Sequence, residues 1–160
     1  MTKILVAYFS ASGETRKVAK KIAQATKGNL YEIQPEIPYS DADLNWHDSK
    51  SRSSIEMKEH PEFRPAISNR VDHMETYETI FIGFPIWWYI APTIINTFLE
   101  SYDFSNKKIV LFATSGMSGM GKTMEILKPS ADHAVFIGEK RLEVHISQEE
   151  VNEWIKKLTI

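Results

Sequence analysis

Short, almost uninterrupted runs of apolar residues recur along the chain. Four of them are Ile4–Phe9, Thr79–Phe84, Ile109–Thr114 and a weaker run, Arg141–His145. Runs without polar alternation are typical of strands in a parallel sheet that helices cover on both faces. A fifth run, Asn29–Gln34, alternates more and therefore predicts a strand nearer the edge of the sheet.

Between these runs, apolar residues recur at helical spacing. Two such faces comprise Val18, Ala19, Ile22 and Ala23, and then Ile94, Ile95, Phe98 and Leu99 after Pro92. The last predicted helix begins at a capping box that runs from Ser147 to Glu150, and its apolar positions are Val151, Trp154, Ile155 and Leu158. Strands that alternate with helices predict an α/β doubly wound sheet. We therefore expect a single domain over residues 1–160.

One segment, Pro35–Thr76, interrupts this alternation between the second and third strands. It is long and polar, and it contains four prolines at positions 35, 38, 61 and 65. A helix is predicted around Ser49–Glu59, and the remainder reads as an excursion from the sheet. Connections of this length are usually functional or mobile. Three roles stay open from the sequence: covering a ligand, forming an interface, or wrapping the sheet.

Composition excludes several classes of function. The 160 residues are 42% hydrophobic and 25% charged, which is ordinary for a globular protein, and the net charge of −2 provides no broad basic field for nucleic acid. The absence of cysteine excludes disulfides, thiolate catalysis and cysteine-ligated metals. The five histidines show no ligand spacing, so no metal is predicted. Ile4–Phe9 is too short for a signal-peptide core or a membrane span, so we expect a cytoplasmic protein without a membrane partner.

The first run leads into a loop of hydroxyl-bearing residues. Ser10, Ser12 and Thr15 offer hydroxyl donors, Gly13 allows the backbone to turn its N–H groups inward, and a helix begins near Thr15. The positive end of that helix would attract a phosphate without any lysine. A plain helix cap is an equally good interpretation of this loop taken alone, because serine and threonine commonly begin helices.

The second loop, Gly83–Pro92, places large aromatic residues directly after a buried strand. Trp87 and Trp88 are adjacent and Tyr89 follows them. Adjacent side chains cannot all point into one core, so at least one ring should face the edge of the sheet. Such a ring suits a flat ligand, because offset stacking adds roughly 0.5–1.5 kcal/mol beyond area burial. The alternative is that both tryptophans cap the end of the core.

The third loop, Thr114–Gly121, is rich in glycine and also follows a strand. Residues Gly116–Thr123 match the P-loop pattern G-x-x-x-x-G-K-[ST], with Lys122 and Thr123 in its last two places. Two features count against a P-loop nucleotide triphosphatase. No other predicted strand ends in an acidic residue that would hold Mg²⁺, and Pro129 leaves room only for a short helix. A triphosphatase is the less favoured alternative.

These three loops together resemble those of the flavodoxin family. Ser10–Thr15 is similar to its S/T-x-T-G-x-T phosphate loop, although Ser12 stands where threonine is commoner. Gly83–Trp88 and Thr114–Gly116 resemble its two flavin-ring loops. The resemblance extends over nearly the whole chain. Three further segments resemble a mainly bacterial flavodoxin-like subfamily: Asp43–Asp48, Ser51–Ser53 and Arg64–Pro65.

The resemblance implies a five-stranded sheet in the order 2-1-3-4-5, helices on both faces and non-covalently bound FMN. The phosphate would be held, largely by backbone N–H groups, at Ser10, Ser12, Gly13, Glu14 and Thr15. One side of the isoalloxazine would be lined by Pro85, Ile86, Trp87 and Trp88. Its other edge would be approached by Thr114, Ser115 and Gly116, with Gly119 and Gly121 leaving room.

The same resemblance implies electron transfer, with a redox partner protein or a small-molecule electron acceptor. Two departures favour an alternative, an NAD(P)H-dependent quinone reductase of the same superfamily. The third loop has Met117 and Met120 where carriers usually place an aromatic residue, and the net charge of −2 is small for a carrier. Pro85–Tyr89 is also similar to the corresponding segment of such reductases. Neither the catalytic residues nor the oligomeric state follow from the sequence.

Overall fold

The computed structural model describes residues 3–115 and 118–160. Its centre is a five-stranded sheet in the order β2-β1-β3-β4-β5, in which every neighbouring pair is parallel. The fold predicted from the sequence is therefore confirmed. The strands are β1 (Ile4–Tyr8), β2 (Asn29–Glu32), β3 (Thr79–Pro85), β4 (Lys108–Thr114) and β5 (Val135–Leu142).

Helices connect the strands and cover the sheet on both sides. They are α1 (Glu14–Thr26), α2 (Arg52–Ser54), α3 (Ile94–Glu100), α4 (Thr123–Leu127) and α5 (Gln148–Lys156). The capping box predicted at Ser147 is present, because its hydroxyl accepts from the Glu150 N–H and the Glu150 side chain accepts from the Ser147 N–H. Over residues 3–115 and 118–160, no helix is long and apolar enough to cross a membrane.

The prediction of the last strand at Arg141–His145 is wrong, because β5 spans Val135–Leu142. This strand lies at the edge of the sheet and pairs only with β4. Of its eight residues only Leu142 is buried, so its sequence carries no continuous apolar run. A register shift opposite Ile109 and Val110 further breaks the pattern. The other four strands agree with prediction to within two residues at either end.

Two hydrophobic layers cover the faces of the sheet. On one face, the apolar sides of α1 and α5 pack on Phe81 and Phe112, which are fully buried. On the other face, α3 and residues of the excursion pack on Ile80 and Ile82. The predicted apolar residues of α3 all have exposures of 1% or less. Burial on both faces explains why the central strands carry uninterrupted apolar runs.

The excursion, defined here as residues 35–76, wraps the α3 face of the sheet. Its first residue, Pro35, forms an antiparallel bridge with Ile67, and Val71 and Met74 are buried in the core. The predicted helix is present as α2, which begins at the Ser51 cap and continues as a π-helical turn over Ile55–Glu59. Of the three roles left open by the sequence, wrapping the sheet is therefore observed.

An ion pair attaches the excursion to α3. Arg64 Nε donates to both carboxylate oxygens of Glu100, at 3.0 and 3.2 Å, and Ser130 Oγ donates to Glu100 Oε2 at 2.7 Å. Partial burial alone would raise the pKa of Glu100, but the hydrogen bonds from Ser130 and Arg64 together outweigh it and hold the pKa below its usual range. Folding therefore favours the ionised form of this carboxylate.

The Glu100→Gln variant is expected to be less stable than the parent at neutral pH and equally stable in acid. The pKa of Glu100 is lower in the folded than in the unfolded state, so its contribution is present above about pH 4.3 and is lost as pH falls through the folded-state pKa. The difference should stay below about 1 kcal/mol at pH 7, because the side chain is partly exposed to solvent. Urea unfolding at several pH values measures it. A matched Glu59→Gln variant, at an exposed position, should show no such pH dependence, and a constant difference for Glu100→Gln would contradict the assignment.

Candidate functional site

The three predicted loops meet at the carboxyl edge of the sheet. Thr15, at the start of α1, and Thr114, at the end of β4, are both buried, and their hydroxyl oxygens lie 2.7 Å apart. The second loop joins them, since Ile86 N–H donates to the Thr114 carbonyl at 3.3 Å. Residues that are 99 positions apart in the chain therefore form one continuous site. This is the place where open α/β sheets bind ligands.

The first loop is closed by its own serine. Ser10 Oγ accepts from the Gly13 N–H at 3.0 Å and from the Arg16 N–H at 3.4 Å, so Ser10 ties the loop to the first turn of α1, whose N-cap residue is Gly13. Gly13 has a φ of 90°, which favours glycine, and a Cβ at this position would have no atom within 4 Å. The loop is therefore open on that side, where the first N–H groups of α1 have no partner within the helix.

Arg16 is the basic side chain closest in sequence to this loop, and it is engaged elsewhere. Its guanidinium donates to Glu32 at 2.7 Å and to the Tyr8 hydroxyl at 3.2 Å. These contacts direct it along the β2 side of the sheet. The loop therefore offers hydrogen bonds and the positive end of a helix, the arrangement predicted from the sequence.

The second loop turns at two residues with left-handed backbone. Trp87 N–H donates to the Ile90 carbonyl at 2.8 Å, and Ile90 N–H donates back at 3.2 Å. Between them, Trp88 has a φ of 48° and Tyr89 a φ of 70°. Turns of this kind usually contain asparagine and glycine, because the left-handed region costs other residues about 1–2 kcal/mol each. Trp88 and Tyr89 therefore adopt a backbone conformation that is unfavourable for large side chains, and strained residues of this kind cluster at functional sites.

The two adjacent tryptophans have different surroundings. The Trp87 ring packs edge-on against Phe9, with centroids 5.7 Å apart, and against Tyr39, with centroids 5.3 Å apart. Trp88 is half-buried at the tip of the turn, and Tyr89 beside it is 74% exposed. Trp87 therefore caps the core, as one interpretation of the pair predicts, and the prediction of a ring that faces the edge of the sheet then rests on Trp88.

Contacts with β5 and with the second loop hold the third loop in place. Arg141 Nη1 donates to the Ser115 carbonyl at 3.0 Å, and Ser115 Oγ donates to the Ser118 carbonyl. Gly121 has a φ of 54°, and a Cβ there would lie 2.7 Å from the Tyr89 carbonyl oxygen. The missing side chain at Gly121 thus allows the two loops to touch.

The predicted glycines of the third loop differ in their surroundings. A Cβ at Gly119 would meet nothing within 4 Å, so space is open beside this residue. At Gly121, by contrast, the Tyr89 carbonyl oxygen occupies the space that a side chain would need. Gly116, which was predicted together with Thr114 and Ser115 to approach the ring, lies outside the described residues, as does Met117.

The described part of the P-loop pattern does not present a metal ligand. Thr123 is fully buried, and its hydroxyl donates to the Met120 carbonyl. Lys122 is the N-cap residue of α4, which has only five residues. A triphosphate site would need the Thr123 hydroxyl on Mg²⁺. Among residues 3–115 and 118–160, no group of three or more histidine, aspartate or glutamate side chains could hold a metal ion.

Tyr39 belongs to the site and was missed by the sequence analysis. The excursion brings its ring against Trp87 and Phe9, with the Phe9 centroid at 5.7 Å. The Tyr39 hydroxyl donates to Glu56, and the Arg52 guanidinium lies 3.8 Å from its ring centroid. Burial, and then the hydrogen bond to Glu56, raise the pKa of Tyr39 far above its usual value, so it stays neutral.

Arg52 and Glu56 form the support for Tyr39. Arg52 Nε lies 2.8 Å from Glu56 Oε2, and Arg52 Nη1 donates to the Ile37 carbonyl at 2.6 Å. Glu56 is only 6% exposed. Its carboxylate therefore depends on the Arg52 cation and the Tyr39 hydroxyl for compensation. A polar segment with a single tyrosine carries no local signal that would reveal this arrangement.

Comparison with known proteins agrees with the geometry. The family model described as flavodoxin matches residues 3–158. A candidate flavoprotein from Bacteroides eggerthii DSM 20697 is 41% identical, with 100% of this chain and 99% of that chain covered and a TM-score of 0.93. A second, from Bacteroides uniformis ATCC 8492, is 47% identical, with 98% and 99% covered and a TM-score of 0.92.

A third similar structure contains a ligand. It is a flavoprotein from Lactobacillus acidophilus NCFM in complex with FMN, 27% identical, with 97% of this chain and 99% of that chain covered and a TM-score of 0.67. A search of curated proteins found no match.

Proposed function

Because the chain belongs to the flavodoxin family, we propose that it is an FMN-binding flavoprotein that acts in electron transfer. The observation that carries this proposal is the 2.7 Å contact between the Thr15 and Thr114 hydroxyls, which joins the candidate phosphate loop to a candidate ring loop. The similar Lactobacillus acidophilus flavoprotein with bound FMN supports it. FMN would supply the redox chemistry, and the protein would orient the flavin and exclude water from it.

In this proposal, the first loop holds the phosphate. The open side of Gly13 gives the anion access to the N–H groups of Ser12, Glu14 and Thr15. Ser10 Oγ already accepts two backbone hydrogen bonds, so its own proton is free to be donated to a phosphate oxygen. Thr15 can donate to the phosphate while it accepts from Thr114, which would orient both hydroxyls.

The second and third loops would hold the flavin ring. Pro85 pairs with Thr114 at the ends of β3 and β4, the Ile86 N–H donates to the Thr114 carbonyl, and Trp88 lies at the tip of the turn that follows. Ser115 would approach from the opposite side, with space left at Gly119. Trp87 fills the space between this site and the core, so we assign it, together with Tyr39, to the support of the ring loop.

A second candidate function is NAD(P)H-dependent reduction of a quinone or a similar small acceptor. The observation that favours it is the aromatic turn, where Tyr89 is 74% exposed beside Trp88 and so offers a stacking surface to a second flat molecule. Steady-state turnover with NADPH and a quinone distinguishes the two functions. A reductase would turn over, whereas the flavin of a carrier would be reduced by neither NADH nor NADPH. The redox partner and the cytoplasmic location stay predictions.

The purified protein is expected to be yellow or to take up FMN in a titration followed by quenching of flavin fluorescence. Thr114→Val should weaken FMN binding about tenfold, because it removes the partner that orients Thr15 and a lost buried hydrogen bond costs about 1–1.5 kcal/mol. Thr97→Val, which removes a half-buried hydroxyl from α3, is the control and should bind like the parent. A colourless protein that takes up no FMN would refute the proposed function.

A further inference from the structure

A shallow surface groove lies beside α1. It is a groove of about 430 Å³ between α1 and the segment that connects β5 to α5. We call it the α1 groove, and its lining residues are Lys17, Lys20, Lys21, Gln24, Val144 and His145. None of these residues is acidic, and three are lysines. A volume of this size falls within the range of small-molecule sites, roughly 300–1,000 Å³.

The two walls of the α1 groove are attached to each other. Lys21 Nζ donates to the Ile146 carbonyl, and Gln148 Nε2 donates to the Lys21 carbonyl at 2.9 Å. The groove is therefore a formed feature of the fold. The side chains of Lys17 and Lys20 are exposed, and neither has a hydrogen bond or ion pair with any residue in the described part of the chain.

Helix stability does not explain this cluster of lysines. Lys17 is three residues from Lys20 and four from Lys21, and like charges at these spacings repel by roughly 0.2–0.5 kcal/mol per pair. Glu14 is the one acidic residue of α1. The helix is strongly basic although the whole chain has a net charge of −2.

We propose that the α1 groove binds a small phosphate-bearing molecule, at a site distinct from the first loop. Ammonium groups are common phosphate ligands, and Lys17, Lys20 and Lys21 lie along one stripe of the helix that faces His145. Three ammonium groups along one shallow groove suit a small, multiply charged anion. The proposal does not depend on flavin binding.

The test is a titration of the FMN-saturated protein with inorganic pyrophosphate at low ionic strength, followed by amide chemical shifts. FMN occupies the first loop and so removes competition from it. We expect saturable shifts at Lys20, Val144 and His145. The double variant Lys17→Ala/Lys20→Ala should bind pyrophosphate at least about fivefold more weakly. The control Lys156→Ala/Lys157→Ala removes two lysines from the end of α5 and should leave the affinity unchanged.

Several results would overturn the proposal. Shifts that do not saturate, an equal loss of affinity in the Lys156/Lys157 control, or tighter binding of a polyglutamate peptide than of pyrophosphate would each indicate general charge attraction or a protein partner. If the protein takes up no FMN, the proposed function fails, but shifts at Val144 and His145 still report the groove separately from shifts at Ser12 and Gly13.

Discussion

Replacing Gly83 by alanine is expected to lower the free energy of unfolding by about 3 kcal/mol, at the upper end of typical overpacking costs. A Cβ at Gly83 would lie 2.1 Å from Phe112 Cζ, far inside contact distance. Gly83 and Phe112 are direct partners in the register of β3 and β4, and Phe112 is fully buried. Neither strand can move away, since each is paired on both sides, so the phenylalanine ring must leave its place in the core.

Urea unfolding of the parent and the variants measures this effect. Gly119→Ala is the matched control, because a Cβ there would meet nothing within 4 Å, and it should change the unfolding midpoint little. The double variant Gly83→Ala/Phe112→Leu should recover part of the lost stability, and the cycle isolates the contact between the two positions. Equal midpoints for Gly83→Ala and the parent would show that the packing around Phe112 is looser than described.

Replacing Arg52 by methionine is expected to lower the free energy of unfolding by about 3 kcal/mol, the usual loss when one partner of a buried ion pair is removed. Glu56 would then retain a buried carboxylate without its 2.8 Å partner. The methionine keeps most of the apolar stem against Tyr39, so the loss reports the charge. Since Tyr39 packs on Trp87, we also expect weaker FMN binding in this variant.

Two variants show whether burial causes the effect. Arg64→Met removes a cation from the exposed pair with Glu100 and should cost less than about 1 kcal/mol. Arg52→Met/Glu56→Leu removes both charges and should recover much of the stability, because replacing both members of a buried ion pair with apolar residues often leaves the free energy of unfolding unchanged. Equal losses for Arg52→Met and Arg64→Met in urea unfolding would contradict the buried-pair assignment.

The central part of the fold could be predicted from local pattern. β1, β3 and β4 are buried on both faces, so each required an apolar run that no polar residue interrupts. In a parallel sheet, the loops that follow these strands all emerge at the same edge. The sequence alone therefore predicted that the three candidate loops lie together. Gly13 was predicted to turn the backbone, and its φ of 90° agrees.

Edge elements and long-range contacts could not be predicted in the same way. β5 is an edge strand that pairs with β4 only, and most of its residues are polar or exposed. Its sequence therefore resembles a loop, and the strand was predicted at Arg141–His145 instead. Tyr39 reaches Trp87 because residues 35–76 fold back across the sheet, which no periodicity in the chain encodes. The contact between Gly121 and Tyr89 is of the same kind.

The sequence by itself determined the parallel sheet, the lysine-free first loop and the aromatic second loop, because burial and helix capping act on residues close together in the chain. Only the tertiary structure decided which side chains complete the site. The hydrogen bond between Thr15 and Thr114, the packing of Trp87 on Phe9 and Tyr39, and the contacts of Tyr39 with Arg52 and Glu56 all join separate segments of the chain. Such contacts depend on how the elements pack, and packing is a property of the whole fold.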